Sequence, residues 1–234
     1  MLDDTQHDEP GHITEIRRQL KRFVGEKMPR EKRIAWDRDH TWDRGLFAEL
    51  AEMGLIGLTV PEEFGGAGID ITAAVAVIEE LAQGGTSLAG PYIHAAFYGG
   101  MNLTENGSPE QRRALLPDIV AGRTLLAYGL SEPNVGGDLA SVETTAQRVG
   151  DVIILNGAKR WCTGADWAHY IYCLVRSGDA DARHRNLSFL LVPTNSPGVT
   201  MRPLAHANLR YTASMDVWFD EVRLPVSSIV GGEQ

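Results

Sequence analysis

The apolar residues of this chain change their period once, near residue 123, and that change restricts what the chain can fold into. Before it, hydrophobic positions recur at helical spacing: Ile13, Ile16, Leu20 and Phe23 or Val24 in one stretch, Val75, Ile78 and Leu81 or Ala82 in another. After it come short extended runs at 125–130, 143–148, 152–156, 170–175, 187–192 and 214–219, with Gly, Asn, Asp or Pro between many of them. Runs of helices followed by runs of strands predict an α+β, multi-domain chain. The expected division is a flexible tail over 1–12, a helical domain over 13–123 and a β domain over 124–234.

Local signals set the expected element ends. Pro29 closes the first helix, whose Arg17, Arg18, Lys21 and Arg22 form a solvated basic face. Asp43 is placed to cap a helix over Leu46–Met53, which Gly54 stops, and Thr72 to cap Ala73–Gln83. The stretch 87–106 is read as helical from its length and position, despite Pro91 and its glycines. Ser108-Pro109-Glu110-Gln111 has capping-box spacing with proline first in the helix, which runs to about Val120. The glycine-rich stretch Gly54–Asp70 lacks Gly-x-Gly-x-x-Gly and Gly-Lys-Ser/Thr, so it reads as a connector rather than a nucleotide loop. Asn156-Gly157 predicts a tight hairpin turn between a strand over 152–155 and one around 160–162.

Charge and cysteine usage remove several functions. With 22 basic against 31 acidic residues the net charge is −9, and no basic tract offers a nucleic-acid surface. Cys162 and Cys173 stand eleven apart without a histidine pattern, so neither a metal site nor a disulfide framework is predicted. The acidic start MLDDTQHDEP has no signal-peptide character, and no apolar run reaches membrane-spanning length. A soluble protein of a reducing cytoplasm is expected.

Two segments carry the chemistry. The first, AYGLSEPNVGGD over 127–138, is a strand end broken at Pro133. Its Gly136 and Gly137 permit positive φ and a close approach of ligand to bare backbone N–H groups, and Ser131 can bond a heterocycle. The second, KRWCTG over 159–164, sets the flat face of Trp161 and the hydroxyl of Thr163 two residues apart, on one side of a strand. That pair suits a planar aromatic ligand with polar edges, although singly the two read as a core tryptophan and a turn threonine.

These segments, with LAEMGLIGLTVPEEFGGAGID from Leu50, GSPEQRRALLPDIVAGRTLLAYGLSEP from Gly107, VIILNGAKRW from Val152 and FDEVRLPVSSIVGGE from Phe219, resemble the acyl-CoA dehydrogenase family in the same order along nearly the whole chain. The resemblance implies an N-terminal helical domain and an antiparallel, barrel-like middle β domain that binds FAD. It implies α,β-dehydrogenation of an acyl-CoA thioester to the trans-2-enoyl-CoA, with hydride passing to flavin N5. Tyr128, Leu130 and Ser131 would approach the pyrimidine part of the ring, Trp161 would cover the ring, and Thr163 would bond near N5. Gly136 and Gly137 would admit the pyrophosphate or the CoA arm.

The same resemblance places Tyr92, Ala95 and Tyr98 beside the acyl group, together with Gly137. The small residues around them either widen an acyl cavity or serve close packing. It further implies electron-transfer flavoprotein as acceptor and an oligomer, either of one chain or with a chain that supplies a C-terminal helical domain. The family's catalytic glutamate lies on that domain, so no catalytic residue is assigned here; Glu79, Glu80, Glu132, Asp138 and Glu143 read as structural. Gly137 stands where the family commonly has serine, which predicts weaker ligand binding, and Arg210 falls near a recurrent family arginine in a loosely matching stretch with an equally good surface reading. A flavin oxidase or monooxygenase of the same fold, and a non-catalytic flavin- or acyl-CoA-binding module, are the alternatives.

Overall fold

The computed structural model describes residues 9–178, 184–205, 207 and 210–232, with Thr86 described by its backbone alone. Residues 1–8 of the expected tail, part of the stretch before Arg210, and Glu233 of the last family-like segment lie outside the described residues.

Among the described residues seven α-helices come first: α1 (Gly11–Lys27), α2 (Arg30–Arg38), α3 (Arg44–Glu52), α4 (Ile71–Gln83), α5 (Thr86–Ile93), α6 (Asn102–Asn106) and α7 (Pro109–Val120). A π-helical stretch, His94–Met101, joins α5 to α6 without a break, so the predicted helix over 87–106 is continuous but widened in its middle. The connector after α3 forms two short strands, β1 (Thr59–Val60) and β2 (Gly68–Ile69). Asp43 caps α3 by accepting the Leu46 N–H, as its position predicts. At α4 the cap is Asp70, which accepts from Ala73 N; Thr72 already lies inside the helix.

Helix α1 buries Ile13, Leu20 and Phe23 against α4, which offers Ala73, Ala76, Val77 and Leu81. The two approach so closely near their C-termini that a methyl at Gly84 would come within 2.5 Å of Val24. Arg17 crosses between them to the buried Glu80 at 3.0 Å and to Glu79 at 2.6 Å. The capping box at Ser108 forms as predicted, and its Gln111 does more. Gln111 Nε2 also donates to the carbonyls of Ser227 and Ile229, at 2.9 and 2.8 Å, and its Oε1 accepts from Gly231 N at 3.2 Å.

The described residues of the second half form one curled sheet of seven strands: β3 (Leu126–Gly129), β4 (Thr145–Val149), β5 (Val152–Thr163), β6 (Tyr170–Arg176), β7 (Leu187–Pro193), β8 (Val199–Pro203) and β9 (Ser214–Pro225). The order runs β3-β6-β4-β5-β9-β8, with β7 on the other edge of β6. Pairings are antiparallel along β4-β5-β9-β8 and between β6 and β7, while β3 lies parallel to β6. Period-two alternation sorts the side chains between two cores. Leu126, Tyr172 and Leu191 join the helical core, whereas Ala127, Ile171, Cys173, Leu190 and Val192 fill the inside of the curl.

Candidate functional site

Strand β3 carries the first segment to the boundary between the two cores. The ring of Tyr128 stacks on Tyr98 of the π-helical stretch, and its hydroxyl accepts from Asn102 Nδ2. Beyond Leu130 and Ser131, both half-buried, the chain closes a tight loop in which Glu132 N donates to Val135 O at 2.8 Å and Val135 N returns to Glu132 O at 3.2 Å. Pro133 and Asn134 at its tip are exposed.

The expectation for Gly136 and Gly137 needs correction: neither adopts a positive φ, and a methyl on either would meet nothing within 4 Å. Their backbone is open because it lies at the surface, not because glycine is required for its shape. The carboxylate of Glu132 turns inward. It accepts from Lys159 Nζ at 2.8 Å, from Glu143 N at 2.6 Å and from Thr144 N at 2.9 Å. Burial pushes this carboxyl up, yet the bonds from Lys159, Thr144 and Glu143 outweigh it and hold the group below the usual carboxylate range.

The second segment lies on β5, and here the predicted hairpin at Asn156-Gly157 is a β-bulge inside one long strand. Gly157 takes φ +141, where a methyl would sit 2.7 Å from the Thr144 backbone, and Asn156 Oδ1 accepts from Glu221 N across the sheet. The hairpin turn lies earlier, at Gly150-Asp151, between the paired residues Val149 and Val152. An Asn-Gly pair supplies the same backbone freedom to a bulge as to a turn, which is why sequence did not separate them.

A second bulge falls between Lys159 and Cys162, and it aims Trp161 outward. Trp161 has φ +62 and is 55% exposed, with the Arg160 guanidinium 5.2 Å from its ring centroid. A left-handed backbone costs a non-glycine residue about 1–2 kcal/mol, so this aromatic face is presented at an expense that packing does not return. Thr163 Oγ1 lies 2.9 Å from Ser214 Oγ on β9. Nearby, Asp216 Oδ1 is buried with no hydrogen-bond partner among the described residues and forms an ion pair with Arg160 Nε at 3.6 Å.

Two contacts bring the segments together. Arg160 N donates to Ser131 O at 2.8 Å, and Lys159 Nζ donates to Leu130 O at 3.2 Å. Leu130, Ser131, Trp161 and Thr163 therefore lie on adjoining strand ends, offering a flat exposed ring and hydroxyls, with the open glycine backbone of Gly136 and Gly137 five and six residues along the chain from Ser131. Such a set fits a large planar heterocycle bearing a polar edge and an anionic arm.

Tyr128 also lines a groove of about 700 Å³ between the β6–β7 hairpin, α6 and the run Ile229–Gly232. Tyr172 and Phe189 extend its aromatic wall, their centroids 4.6 Å apart, while Arg148 and Arg185 bring positive charge to it. The described lining contains no Asp or Glu. Tyr92 and Ala95 are absent from it too: both are fully buried in the helical core, and Tyr92 Oη donates to Leu55 O at 3.0 Å. Of the residues expected beside an acyl group, Tyr98 reaches the groove wall through its stack on Tyr128; Gly137 sits on the exposed loop. The segment around Tyr92 is apolar on every side, so it gave no facing signal.

Lys159, Asp216, Tyr172 and Phe189 were not singled out from sequence. The spacing of Tyr170 and Tyr172, two apart on a strand, was the one available hint. Cys162 and Cys173 are free and buried inside the curl, and burial pushes both thiols up to about 12, which leaves neither a nucleophile. Arg210 N donates to Asp37 Oδ1 at 3.1 Å, and its Nη2 lies 3.1 Å from His40 Nε2. Among the described residues no helix is long and apolar enough to cross a membrane.

Comparison with known proteins gives a consistent family. Residues 12–123 match the acyl-CoA dehydrogenase N-terminal domain, and residues 127–222 match the acyl-CoA dehydrogenase middle domain. Acyl-CoA dehydrogenase IpdE1 of Mycolicibacterium smegmatis is 34% identical over 222 residues, covering 87% of this chain and 53% of the relative. Among solved structures, the ChsE4-ChsE5 complex of Mycobacterium tuberculosis superposes with a TM-score of 0.80 at 30% identity, covering 96% of this chain and 57% of that one. A glutaryl-CoA dehydrogenase of Mycobacterium smegmatis in complex with FADH2 superposes with a TM-score of 0.83 at 26% identity, covering 97% and 57%. The chain spans about half the length of the curated relatives it matches.

Proposed function

The chain belongs to the acyl-CoA dehydrogenase family, and from that premise we propose that it takes part in α,β-dehydrogenation of an acyl-CoA thioester to the trans-2-enoyl-CoA, with FAD as cofactor. The observation that carries this reading is Trp161, an exposed aromatic face on a strained bulge beside Leu130 and Ser131. FAD, when bound, supplies the electron sink that accepts the β-hydride.

In this reading Trp161 covers the flavin ring, and Thr163, hydrogen-bonded to Ser214, bonds its polar edge. Tyr128, Leu130 and Ser131 face the pyrimidine end. Gly136 and Gly137 offer backbone N–H groups to a phosphate. The thioester takes the groove walled by Tyr128, Tyr172 and Phe189, where Arg148 and Arg185 suit the anionic CoA arm. This reassigns the acyl site away from Tyr92 and Ala95, which serve the core.

No acid in the described lining can take the α-proton. Among the described residues, the buried carboxylates of Glu80 and Glu132 and the buried Oδ1 of Asp216 are each paired to a cation. In this reading the base is supplied by a group that packs over the groove from outside the described residues, on further polypeptide or on a partner subunit. Electron-transfer flavoprotein is the proposed acceptor of the electrons, fatty-acid degradation in the cytoplasm the proposed setting, and an oligomer of like or unlike chains the proposed assembly. The acid-free lining equally favours a second reading, a flavin- or acyl-CoA-binding module without turnover.

The deciding experiment purifies the full chain with whatever binds it and records visible flavin absorbance before and after anaerobic addition of an acyl-CoA. Bleaching of bound flavin supports the dehydrogenase. Bound flavin that no acyl-CoA bleaches supports the binding module, and colourless protein that takes up no FAD removes both.

A further inference from the structure

The two halves of the site are joined beneath the surface by one pair that neither segment was expected to provide. Lys159 and Glu132 are both buried, their side chains 0% and 2% exposed, with Nζ to Oε1 at 2.8 Å. A lysine inside a sheet is costly unless its ammonium is paired with a counter-charge and hydrogen-bonded. Nζ meets the Glu132 carboxylate and the Leu130 carbonyl, the last backbone acceptor before Ser131. The second carboxylate oxygen of Glu132 takes Glu143 N, and Oε1 also takes Thr144 N, so the start of β4 is drawn in as well.

Position gives the pair its reach. Glu132 closes the exposed loop through two backbone bonds to Val135. Lys159 opens the bulge that turns Trp161 outward, and the next residue, Arg160, bonds Ser131 O. Removing the ammonium would free Leu130 O and leave the bulge with one cross-link to the loop. The left-handed backbone of Trp161 persists only while its surroundings fix it.

We propose that the Lys159–Glu132 pair is the positioning clamp of the site, holding the Leu130–Ser131 strand end and the Trp161 bulge in the relative placement that a flavin ring requires. The clamp rests on the cofactor reading above. Neither residue touches the cofactor: both act through Leu130, Ser131 and Trp161.

The test titrates FAD into flavin-free full chain, with any co-purifying partner retained, and compares wild type with Glu132→Gln/Lys159→Met, which removes both charges at nearly constant volume. The expected result is cooperative urea unfolding with FAD Kd raised at least tenfold. Leu20→Ala, a cavity in the helical core, serves as the control that loses stability yet keeps wild-type Kd. A folded double variant with wild-type Kd overturns the clamp.

Should the double variant not fold, Glu132→Gln alone is read by Kd and by hydrogen exchange at the Arg160 amide. A Kd at least threefold higher, with faster exchange there and not along the rest of β5, supports the clamp, and wild-type values overturn it. Wild-type protein that takes no FAD overturns the cofactor reading, and the clamp with it, by a result distinct from either variant's.

Discussion

The rings of Tyr98 and Tyr128 stack with centroids 3.9 Å apart and planes within 17°, so one helix residue and one strand residue share a single aromatic wall across the layer boundary. The stack, with the Asn102 bond to the Tyr128 hydroxyl, fixes the inner end of the groove. Tyr98→Phe keeps the ring and should leave stability within about 0.5 kcal/mol of wild type, whereas Tyr98→Ala should cost about 3 kcal/mol through lost contacts and a cavity. Urea unfolding of the two variants measures the difference.

Trp161 gives a prediction of opposite signs. Glycine at this position relieves the left-handed backbone and should raise stability by about 1 kcal/mol, less what the exposed Arg160 contact contributes. The same substitution should raise FAD Kd at least tenfold, and Trp161→Ala should weaken FAD retention without that gain. Thermal unfolding and flavin content, measured on the same samples, check both. Unchanged flavin content in Trp161→Ala would remove this residue from the site.

His94 predicts the acid response of the fold. Its Nδ1 lies 2.8 Å from Leu126 O; burial pushes its pKa down to about 4, and the bond to Leu126 offsets only part of that. The unfolded imidazole, at its ordinary 6.5, binds protons that the folded one refuses. Stability is therefore full above pH 6.5 and should fall by about 3 kcal/mol as pH drops from 6.5 to 4. Glu132, held below its ordinary 4.5, adds its own loss as pH falls from about 4.5 through its lower folded value. Urea midpoints at pH 7 and pH 5 should separate in wild type and nearly coincide in His94→Gln.

Gln111 shows what sequence conveyed and what it withheld. Its spacing from Ser108 identified the capping box, because that motif is local and both partners lie within one helical turn. Its grip on Ser227, Ile229 and Gly231 spans more than a hundred residues and leaves no local pattern. The site divides the same way. Ser131, Trp161 and Thr163 were legible as members of two short segments. The bulges that aim them were not, since a bulge depends on which strand lies alongside. Lys159 was quoted within its motif but given no role, because its partner Glu132 is distant in the chain.

Gln111→Glu separates the two functions of that residue. The carboxylate can still accept from Ser108 N, but it cannot donate to Ser227 and Ile229. Loss of those donations should cost about 1–3 kcal/mol and speed hydrogen exchange over residues 226–232, with the start of α7 still protected. Gln111→Ala should expose both regions.

Gly137 offers a gain rather than a loss. Its backbone is not left-handed and the space around it is open, so Gly137→Ser introduces no strain. A hydroxyl there should tighten FAD or acyl-CoA binding several-fold and change stability by no more than about 0.5 kcal/mol. Isothermal titration of both ligands against the variant tests it.

Strand β3 places Leu126 and Tyr128 in one core and Ala127 in the other, next to Gly129, where an added methyl would come within 2.8 Å of Ile171. One residue inserted ahead of Tyr128 would exchange those faces, driving a tyrosine into the inside of the curl and withdrawing it from the groove. The strand is thus more tolerant of altered composition than of altered length. Homologues that diverge freely in side chains here should still preserve the count of residues from Leu126 to Ser131.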